Sequence, residues 1–311
     1  MSPSRSVLIV AVAAVFALLF LSGCSGPHTN SSLVSSANNS SSPAARPPNS
    51  YIDPSISGQA VAMYSEGVSK FNGGDLPGAL SDFDMAVSYE PRFSQAYAAR
   101  ANAKAALGDY DGASNDFSQA IQIDPKYSDA YVGRGLTEAQ SGAYLSAIKD
   151  FDTAVSLDPG HYPAYAARAR AESEISMYPA ALSDYDQAVA LAPNVSSLYT
   201  ERGYTHSLAG DDNLSIADDT LAIALDPKDK LAHFNRGSVY SRTGNYSAAV
   251  QDFDDAIFID PHYAEFYLQR GIAYYEMGQL DKAKADILKA SDLDPTSPSF
   301  EEVAKTAGAK K

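Results

Sequence analysis

The sequence lacks tryptophan, and its 311 residues include one cysteine, Cys24. A single cysteine excludes an intramolecular disulfide, so cysteine pairing says nothing about the redox compartment. Basic residues are also scarce, because 23 Lys and Arg stand against 38 Asp and Glu and the net charge is -15. Domains that bind nucleic acids need a basic surface. The composition therefore disfavours a nucleic acid partner.

Side chains that carry catalysis or bind metals are equally sparse. None of the five histidines lies within metal-ligand spacing of another histidine in the sequence. The chain has no phosphate-binding loop and no serine elbow. The pairs Asp211-Asp212 and Asp218-Asp219 lack the spaced loop and glycine of a calcium-binding hand. We therefore expect no enzymatic activity, no cofactor and no metal site.

The N-terminus has the features of an export signal. Arg5 precedes an uncharged apolar run, Val7 to Leu21, which is too short to span a bilayer comfortably but typical of a secretory signal. The run ends in Leu21-Ser22-Gly23-Cys24, which resembles the lipobox of prokaryotic lipoproteins. The resemblance implies a signal peptide over residues 1–23, lipid on Cys24, and an extracytoplasmic location anchored to a cell-envelope membrane. A cleaved signal or an uncleaved anchor with an incidental cysteine is the alternative.

The segment after the cysteine differs in composition from everything that follows it. Residues 24–57 are rich in Ser, Asn and Pro, and they contain no aromatic residue before Tyr51. Such a segment cannot bury enough apolar surface to fold. We therefore predict a disordered tether over residues 24–57, which would hold the rest of the chain away from the membrane.

The remainder of the chain is an internal repeat. One proline recurs every 34 residues without insertion, at Pro91, Pro125, Pro159, Pro193, Pro227, Pro261 and Pro295. With this proline at position 32, the repeats are 60–93, 94–127, 128–161, 162–195, 196–229, 230–263 and 264–297. A period of 34 residues indicates helix-turn-helix units that bury their apolar faces by stacking.

Small and large residues alternate in register within these units. Position 27 is Ala in all seven repeats, positions 8 and 20 are small, and positions 4 and 24 are mostly aromatic. This pattern resembles the tetratricopeptide repeat family. The resemblance implies an all-α, right-handed α-solenoid of seven repeats over residues 58–297. Ser299 and Glu302 form a capping box, which predicts a short C-terminal capping helix within residues 298–311.

The family resemblance also implies a binding surface. In such repeats the first helices line a concave groove, and ligands touch positions 2, 5, 9, 12 and 13. The implied peptide-binding residues are Tyr64, Phe71, Ala98, Asn102, Val132, Leu136, Tyr204, Phe234, Arg242, Leu268, Ile272 and Tyr275. Alanines in this groove either leave room for a peptide or simply reflect helix propensity. Of the Lys and Asn clamp that holds a C-terminal carboxylate in some members, only Asn102 matches.

These features predict a protein or peptide partner and a role in recruiting or assembling an envelope or surface complex. The alternative is a structural spacer or a self-associating surface protein without a groove ligand. The two differ in their dependence on the groove, because substitution of Tyr64, Phe71 and Tyr275 should abolish partner capture only in the first case.

Two charged positions depart from the family pattern. Position 7 is Arg in repeats two to seven but Glu66 in the first, and position 23 is Asp throughout. Because the first repeat has no predecessor, we predict that each Arg reaches back to the Asp of the preceding hairpin and fixes the stacking register. The predicted pairs are Arg100 with Asp82, Arg134 with Asp116, Arg168 with Asp150, Arg202 with Asp184, Arg236 with Asp218, and Arg270 with Asp252.

The fifth repeat departs from the pattern in another way. It has Asp212 where Tyr is usual, Ser215 where Ala is usual and Asp219 where a buried aromatic is expected. A buried Asp carries a desolvation cost. Either a locally loosened joint or a dedicated ligand site would account for this repeat.

Overall fold

The computed structural model describes residues 55–295, and this part of the chain contains fourteen α-helices and no strand. It divides into two compact units, with the boundary between Pro193 and Asn194. Between residues 55 and 295, none of the helices combines the length and the apolar character that crossing a membrane requires. The predicted all-α repeat fold is confirmed within each unit.

The first unit contains four hairpins. Their helices are α1 (Gly58–Asn72), α2 (Leu76–Tyr89), α3 (Ser94–Ala106), α4 (Tyr110–Ile123), α5 (Ser128–Gln140), α6 (Tyr144–Leu157), α7 (Tyr162–Glu174) and α8 (Tyr178–Leu191). Each first helix packs most extensively on the second helix of its own repeat, and each second helix then contacts the next first helix. The first helices of successive repeats also touch one another, which makes them one continuous face of this unit.

The second unit repeats this arrangement in three hairpins. Its helices are α9 (Ser196–Ala209), α10 (Asp212–Leu225), α11 (Lys230–Arg242), α12 (Tyr246–Ile259), α13 (Ala264–Glu276) and α14 (Leu280–Leu293). Within the unit, α9 contacts α11 and α11 contacts α13, so the first helices again lie side by side.

The turn between the two helices of a repeat requires a left-handed residue at position 15. Glycine occupies this position in six repeats, with φ between 73° at Gly278 and 88° at Gly210. Glycine adopts this conformation without the steric cost that a Cβ atom introduces. The fourth repeat has Ser176 there instead, and its φ of 61° is the one positive value among non-glycine residues from 55 to 295.

The core of each hairpin follows the predicted alternation of small and large residues. The aromatic ring at position 24 is buried against the small residue at position 8, and a Cβ atom added to Gly67 would lie 2.6 Å from the Phe83 ring. The alanine at position 27 is fully buried in all seven repeats. Close helix approach therefore depends on these small side chains, because dense packing leaves no space for larger ones.

Several predicted features lie outside the described residues. They are the signal peptide, Cys24, the tether as far as Pro54 and the capping segment over residues 298–311. The remaining tether residues, Ser55 to Ser57, lead directly into α1, where the Ser57 side chain accepts a hydrogen bond from the Ala60 backbone N–H.

Candidate binding surfaces and the arginine–aspartate network

Each arginine at position 7 forms a bidentate pair with the aspartate at position 23 of its own repeat. In the third repeat, Arg134 donates from Nε to Asp150 Oδ2 and from Nη2 to Asp150 Oδ1, both at 2.7 Å. The corresponding pairs are Arg100–Asp116, Arg168–Asp184, Arg202–Asp218, Arg236–Asp252 and Arg270–Asp286. The planar guanidinium group matches both carboxylate oxygens at once.

The pairing predicted from the sequence is therefore wrong in its partner. Each of Arg100, Arg134, Arg168, Arg202, Arg236 and Arg270 binds the Asp of its own repeat, not Asp82, Asp116, Asp150, Asp184, Asp218 or Asp252 of the preceding one. The reason is that positions 7 and 23 lie level with each other on the two helices of one hairpin. The absence of an arginine at position 7 of the first repeat misled the prediction. In that repeat Lys70, at position 11, binds Asp82 at 2.7 Å instead.

Within each unit, the arginines do reach the preceding repeat, but through position 25. The Nη1 group of Arg100 donates to Asp84 Oδ1 at 2.8 Å, and that of Arg168 donates to Asp152 Oδ1 at 2.7 Å. Arg134 makes the same contact with a hydroxyl, that of Ser118, at 3.1 Å. Each of these arginines thus joins the two helices of its hairpin and contacts the repeat before it.

An aromatic ring completes the surroundings of most of these arginines. The guanidinium carbon of Arg100 lies 5.3 Å from the centre of the Tyr97 ring, and that of Arg168 lies 5.7 Å from the centre of Tyr165. Contacts of this kind attract the cation to the face of the ring. Because each guanidinium group binds the aspartate of its own hairpin and five of the six also lie close to a ring, we interpret the network as structural rather than as a ligand surface.

The predicted groove residues divide into buried and exposed groups. The structure buries Tyr64, Ala98, Phe234 and Leu268, all at position 5, so these four cannot offer surface to a ligand. Tyr64 lies between the rings of Phe83 and Phe93, with centroids at 6.1 and 5.1 Å. Position 5 is therefore a core position in these four repeats, and the prediction that these four residues line a groove is wrong.

The other predicted residues retain surface on the first helices. In the first unit, Asn102 and Leu136 are exposed, and Phe71 and Val132 are partly exposed. In the second unit, Arg242 is exposed and forms an ion pair with Asp212, while Tyr204, Ile272 and Tyr275 are partly exposed. Each unit thus has its own candidate binding surface, formed by these four residues of its first helices.

Position 11 varies while the aspartate beside it does not. Lys104 binds Asp116 at 2.7 Å, but the fourth repeat has Glu172 at the same position. Burial, reinforced by the charge of Asp184, raises the pKa of Glu172 to about 7. Its buried Oε2 atom has no hydrogen-bond partner among the described residues. This position therefore changes charge from repeat to repeat without disturbing the Arg–Asp pairs.

The fifth repeat contains a buried carboxyl group that the fold does not satisfy. Asp219 is fully buried at the aromatic position, and neither of its oxygens has a hydrogen-bond partner in residues 55–295. The neighbouring Ser215 hydroxyl is also buried and unpaired there. Burial, together with the charges of Asp218 and Asp229, raises the pKa of Asp219 well above its usual value. This finding favours a loosened joint.

The spacing of histidines along the sequence did not reveal one cluster of possible metal ligands. His233 on α11 lies close to Asp252 and Asp255 on α12, although 19 and 22 positions separate them in the sequence. These two helices pair along their length, so residues far apart in sequence meet across the hairpin. The signal that could have found the cluster is that His233 and Asp255 both depart from the repeat pattern, in one repeat.

Comparisons with known proteins agree with this architecture. Residues 101–142 and 242–278 match the family description "TPR repeat", and residues 264–297 match "Tetratricopeptide repeat". No curated protein matches the chain.

Among solved structures, a tetratricopeptide repeat protein from Parabacteroides merdae has a TM-score of 0.64 and 17% identity, with 80% of this chain and 99% of that chain covered. For Pseudomonas aeruginosa PilF the TM-score is 0.60 and the identity 16%, over 68% and 96% of the two chains. For the APC/C hetero-tetramer Cut9–Hcn1 the TM-score is 0.63 and the identity 16%, with 80% of this chain and 53% of that chain covered. This chain thus spans about half of the last structure, and all three similarities concern the fold. The chain contains tetratricopeptide repeats.

Proposed function

We propose that this protein is a membrane-tethered, extracytoplasmic scaffold that recruits or helps assemble an envelope or surface complex by binding a protein or peptide partner. The tetratricopeptide repeats support the binding role, because this fold generally serves protein interactions and not catalysis. The proposal accordingly assigns no enzymatic step.

One observation carries the binding role. The Leu136 side chain on α5 is 43% exposed, on the face where the first helices of the first unit lie side by side. Val132, one turn earlier on the same helix, is also partly exposed. Apolar groups left on such a face can anchor a partner, because interface energy concentrates in a few buried contacts.

A photo-crosslinking amino acid at position 136 tests this role in cells of the native host. We expect one dominant crosslinked partner, whose purified form binds the scaffold saturably and loses most of its affinity for the Leu136→Glu variant. Leu145→Glu is the matched control, because Leu145 is 67% exposed but lies at the start of the second helix α6. Equal loss of binding in both variants would contradict the assignment of this face.

The membrane tether rests on the lipobox-like sequence Leu21-Ser22-Gly23-Cys24. Cys24→Ala should release the protein from membranes or leave its signal uncleaved. Membrane fractionation with mass spectrometry of the N-terminus distinguishes these outcomes. A variant that stays membrane-bound with a processed N-terminus would contradict lipid anchoring.

A self-associating surface protein is the second candidate. The observation that favours it is Phe258 on the second helix α12, which is 89% exposed and occupies a position that is small or polar in every other repeat. If copies associate through this residue, Phe258→Ser should convert an oligomer to a monomer in analytical ultracentrifugation. A native protein that is already monomeric at high concentration removes this candidate.

A further inference from the structure

The sixth repeat brings three side chains with metal-ligand atoms together. The Nδ1 atom of His233 lies 3.7 Å from Asp252 Oδ1 and 3.8 Å from Asp255 Oδ2, and the ligand atoms all lie within 4.8 Å of one another. These separations are too long for hydrogen bonds. They are close to those of ligands that share one ion, because two ligands at about 2.1 Å in tetrahedral geometry lie roughly 3.4 Å apart.

The other ring nitrogen fixes the protonation of the histidine. His233 Nε2 lies 3.4 Å from the carbonyl oxygen of Pro227. In the seventh repeat, the Tyr267 hydroxyl occupies the same position and donates to the Pro261 carbonyl at 3.1 Å. A carbonyl can only accept, so the proton of a neutral His233 belongs on Nε2, and the Nδ1 lone pair is directed towards the two carboxylates. A backbone carbonyl on one nitrogen and an ion on the other is the usual setting of a ligating histidine.

The Nδ1 atom of His233 is buried without a hydrogen bond in the part of the chain that the structure describes. The whole residue is 6% exposed. A lone pair beside two negative carboxylates is repelled by them, so the arrangement needs a cation at its centre. That cation is either a proton on Nδ1 or a metal ion.

Both unusual residues occur in the same repeat. Position 4 is His only at His233, and position 26 is acidic only at Asp255. The equivalent residues at position 26 are Met85, Gln119, Thr153, Gln187, Leu221 and Lys289. Six other repeats fold without this combination, so the fold itself does not require it.

Arg236 already binds Asp252, but this carboxylate has room for a second cation. Arg236 donates to Asp252 from Nε at 2.9 Å and from Nη2 at 2.7 Å. In the second repeat, the equivalent Asp116 accepts both Arg100 and the ammonium group of Lys104, at 2.6 and 2.7 Å. The position-23 carboxylate therefore accepts two cationic partners elsewhere in this chain.

We propose that His233, Asp252 and Asp255 form a binding site for Zn²⁺ or a chemically similar divalent transition-metal ion. One imidazole and two carboxylates suit such ions, whereas Ca²⁺ and Mg²⁺ prefer oxygen ligands alone. The Asp255 side chain is 51% exposed, so an ion can enter beside it and complete its coordination with water. The bound ion joins α11 to α12, and this role is independent of the proposed partner binding.

Titration of the full-length chain with Zn²⁺ at pH 7.5, followed by calorimetry, tests the site. We expect the native chain to bind one equivalent more than His233→Tyr, which carries the residue found at this position in five repeats. Asp255→Asn should weaken that site at least ~10-fold, a loss that even outer-shell changes can cause. Asp254→Asn is the matched control, because Asp254 is comparably exposed on α12 but contacts Arg270. Cys24 is present in every variant, so it cancels in the comparison.

Three results would overturn the proposal. Native and His233→Tyr chains could bind the same number of equivalents, or Asp254→Asn could weaken binding as much as Asp255→Asn. Mg²⁺ could also compete with Zn²⁺ on equal terms, which would indicate an oxygen-only site. NMR of the His233 ring provides an independent readout, and an imidazolium that persists in excess Zn²⁺ would identify the cation as a proton.

Discussion

Arg134 and Asp150 lie on the two helices of one hairpin and share two hydrogen bonds of 2.7 Å. The Arg134 Nη1 group also donates to the Ser118 hydroxyl of the preceding repeat. Arg134 therefore joins the two helices of its own repeat and also contacts the preceding repeat. The Asp150 carboxylate, which accepts these bonds, raises the pKa of Arg134, so this guanidinium stays charged at any physiological pH.

Arg134→Lys tests the importance of the bidentate geometry. Lysine keeps the charge but cannot bind both oxygens of Asp150, so we expect a loss of about 1.5–3 kcal/mol in local stability. Hydrogen exchange of the α5 and α6 amides measures this loss. Lys149→Ala, at an exposed residue next to Asp150, is the control and should change stability by less than about 0.5 kcal/mol. Equal effects would show that the geometry of the pair is unimportant.

Ser176→Gly should stabilise the fourth repeat. Ser176 has a φ of 61°, in the region where a Cβ atom costs about 1–2 kcal/mol. Glycine removes that cost but also increases the freedom of the unfolded chain, so we expect a net gain below about 1 kcal/mol. Hydrogen exchange of α7 and α8 measures it. Gly142→Ser, at the equivalent turn of the third repeat, should have the opposite sign, and a shared sign would contradict this reading.

Gly67→Ala should destabilise the first repeat, although alanine is the better helix former. The new Cβ atom would lie 2.6 Å from the Phe83 ring, closer than atoms can approach without rearrangement. Overpacking of this kind costs about 1–3 kcal/mol, which exceeds the gain of about 1 kcal/mol in helix propensity. Urea unfolding measures the change, and a Phe83→Leu substitution in the same chain should recover part of the loss. No recovery would mean that the ring is not the obstacle.

Asp219 should make the second unit less stable as the pH rises. Burial raises its pKa in the folded state, so the folded chain keeps a proton that the unfolded chain loses above about pH 4. The unfolding free energy therefore falls with rising pH, from the unfolded pKa up to the folded one. Asp219→Asn cannot ionise, and its stability relative to the native chain should rise over that window. Parallel pH profiles for the two proteins would contradict a raised pKa.

Glu172 should show a pH dependence of stability with the same sign. Its pKa of about 7 in the folded state lies above the usual value, so its contribution is lost between about pH 4 and pH 7. We expect Glu172→Gln to be more stable than the native chain above pH 7 and to gain little at pH 4. Thermal unfolding at both pH values measures the difference. Equal gains in stability for Glu172→Gln at both pH values would contradict a raised pKa of Glu172.

The repeat boundaries, the turns and the small-to-large packing could be predicted from the sequence because they depend on local pattern. A proline every 34 residues sets the register, and Gly74 with its equivalents marks the turns. Position 27 is buried wherever Ala86 and its equivalents occur, because only a small side chain lets the helices approach. Each of these features follows from the identity of one residue at a known place in a repeat.

The candidate binding surface could be predicted only in part, because the local sequence pattern does not show how closely neighbouring helices pack. Tyr64 and Phe234 share a position that family resemblance assigns to a groove, yet their rings are buried against Phe93 and Phe266. Whether an apolar side chain faces a partner or the core depends on how closely the next helix packs. That distance is a property of the assembled repeats.

The sequence by itself determined that the chain forms helical repeats and where each repeat begins and turns, because period, proline and glycine act within a few residues. Only the tertiary structure decided which Asp each Arg binds, since positions 7 and 23 are level only after the two helices of a hairpin pair. It also decided that His233 meets Asp252 and Asp255, because side chains 19 and 22 residues apart come together only across packed helices.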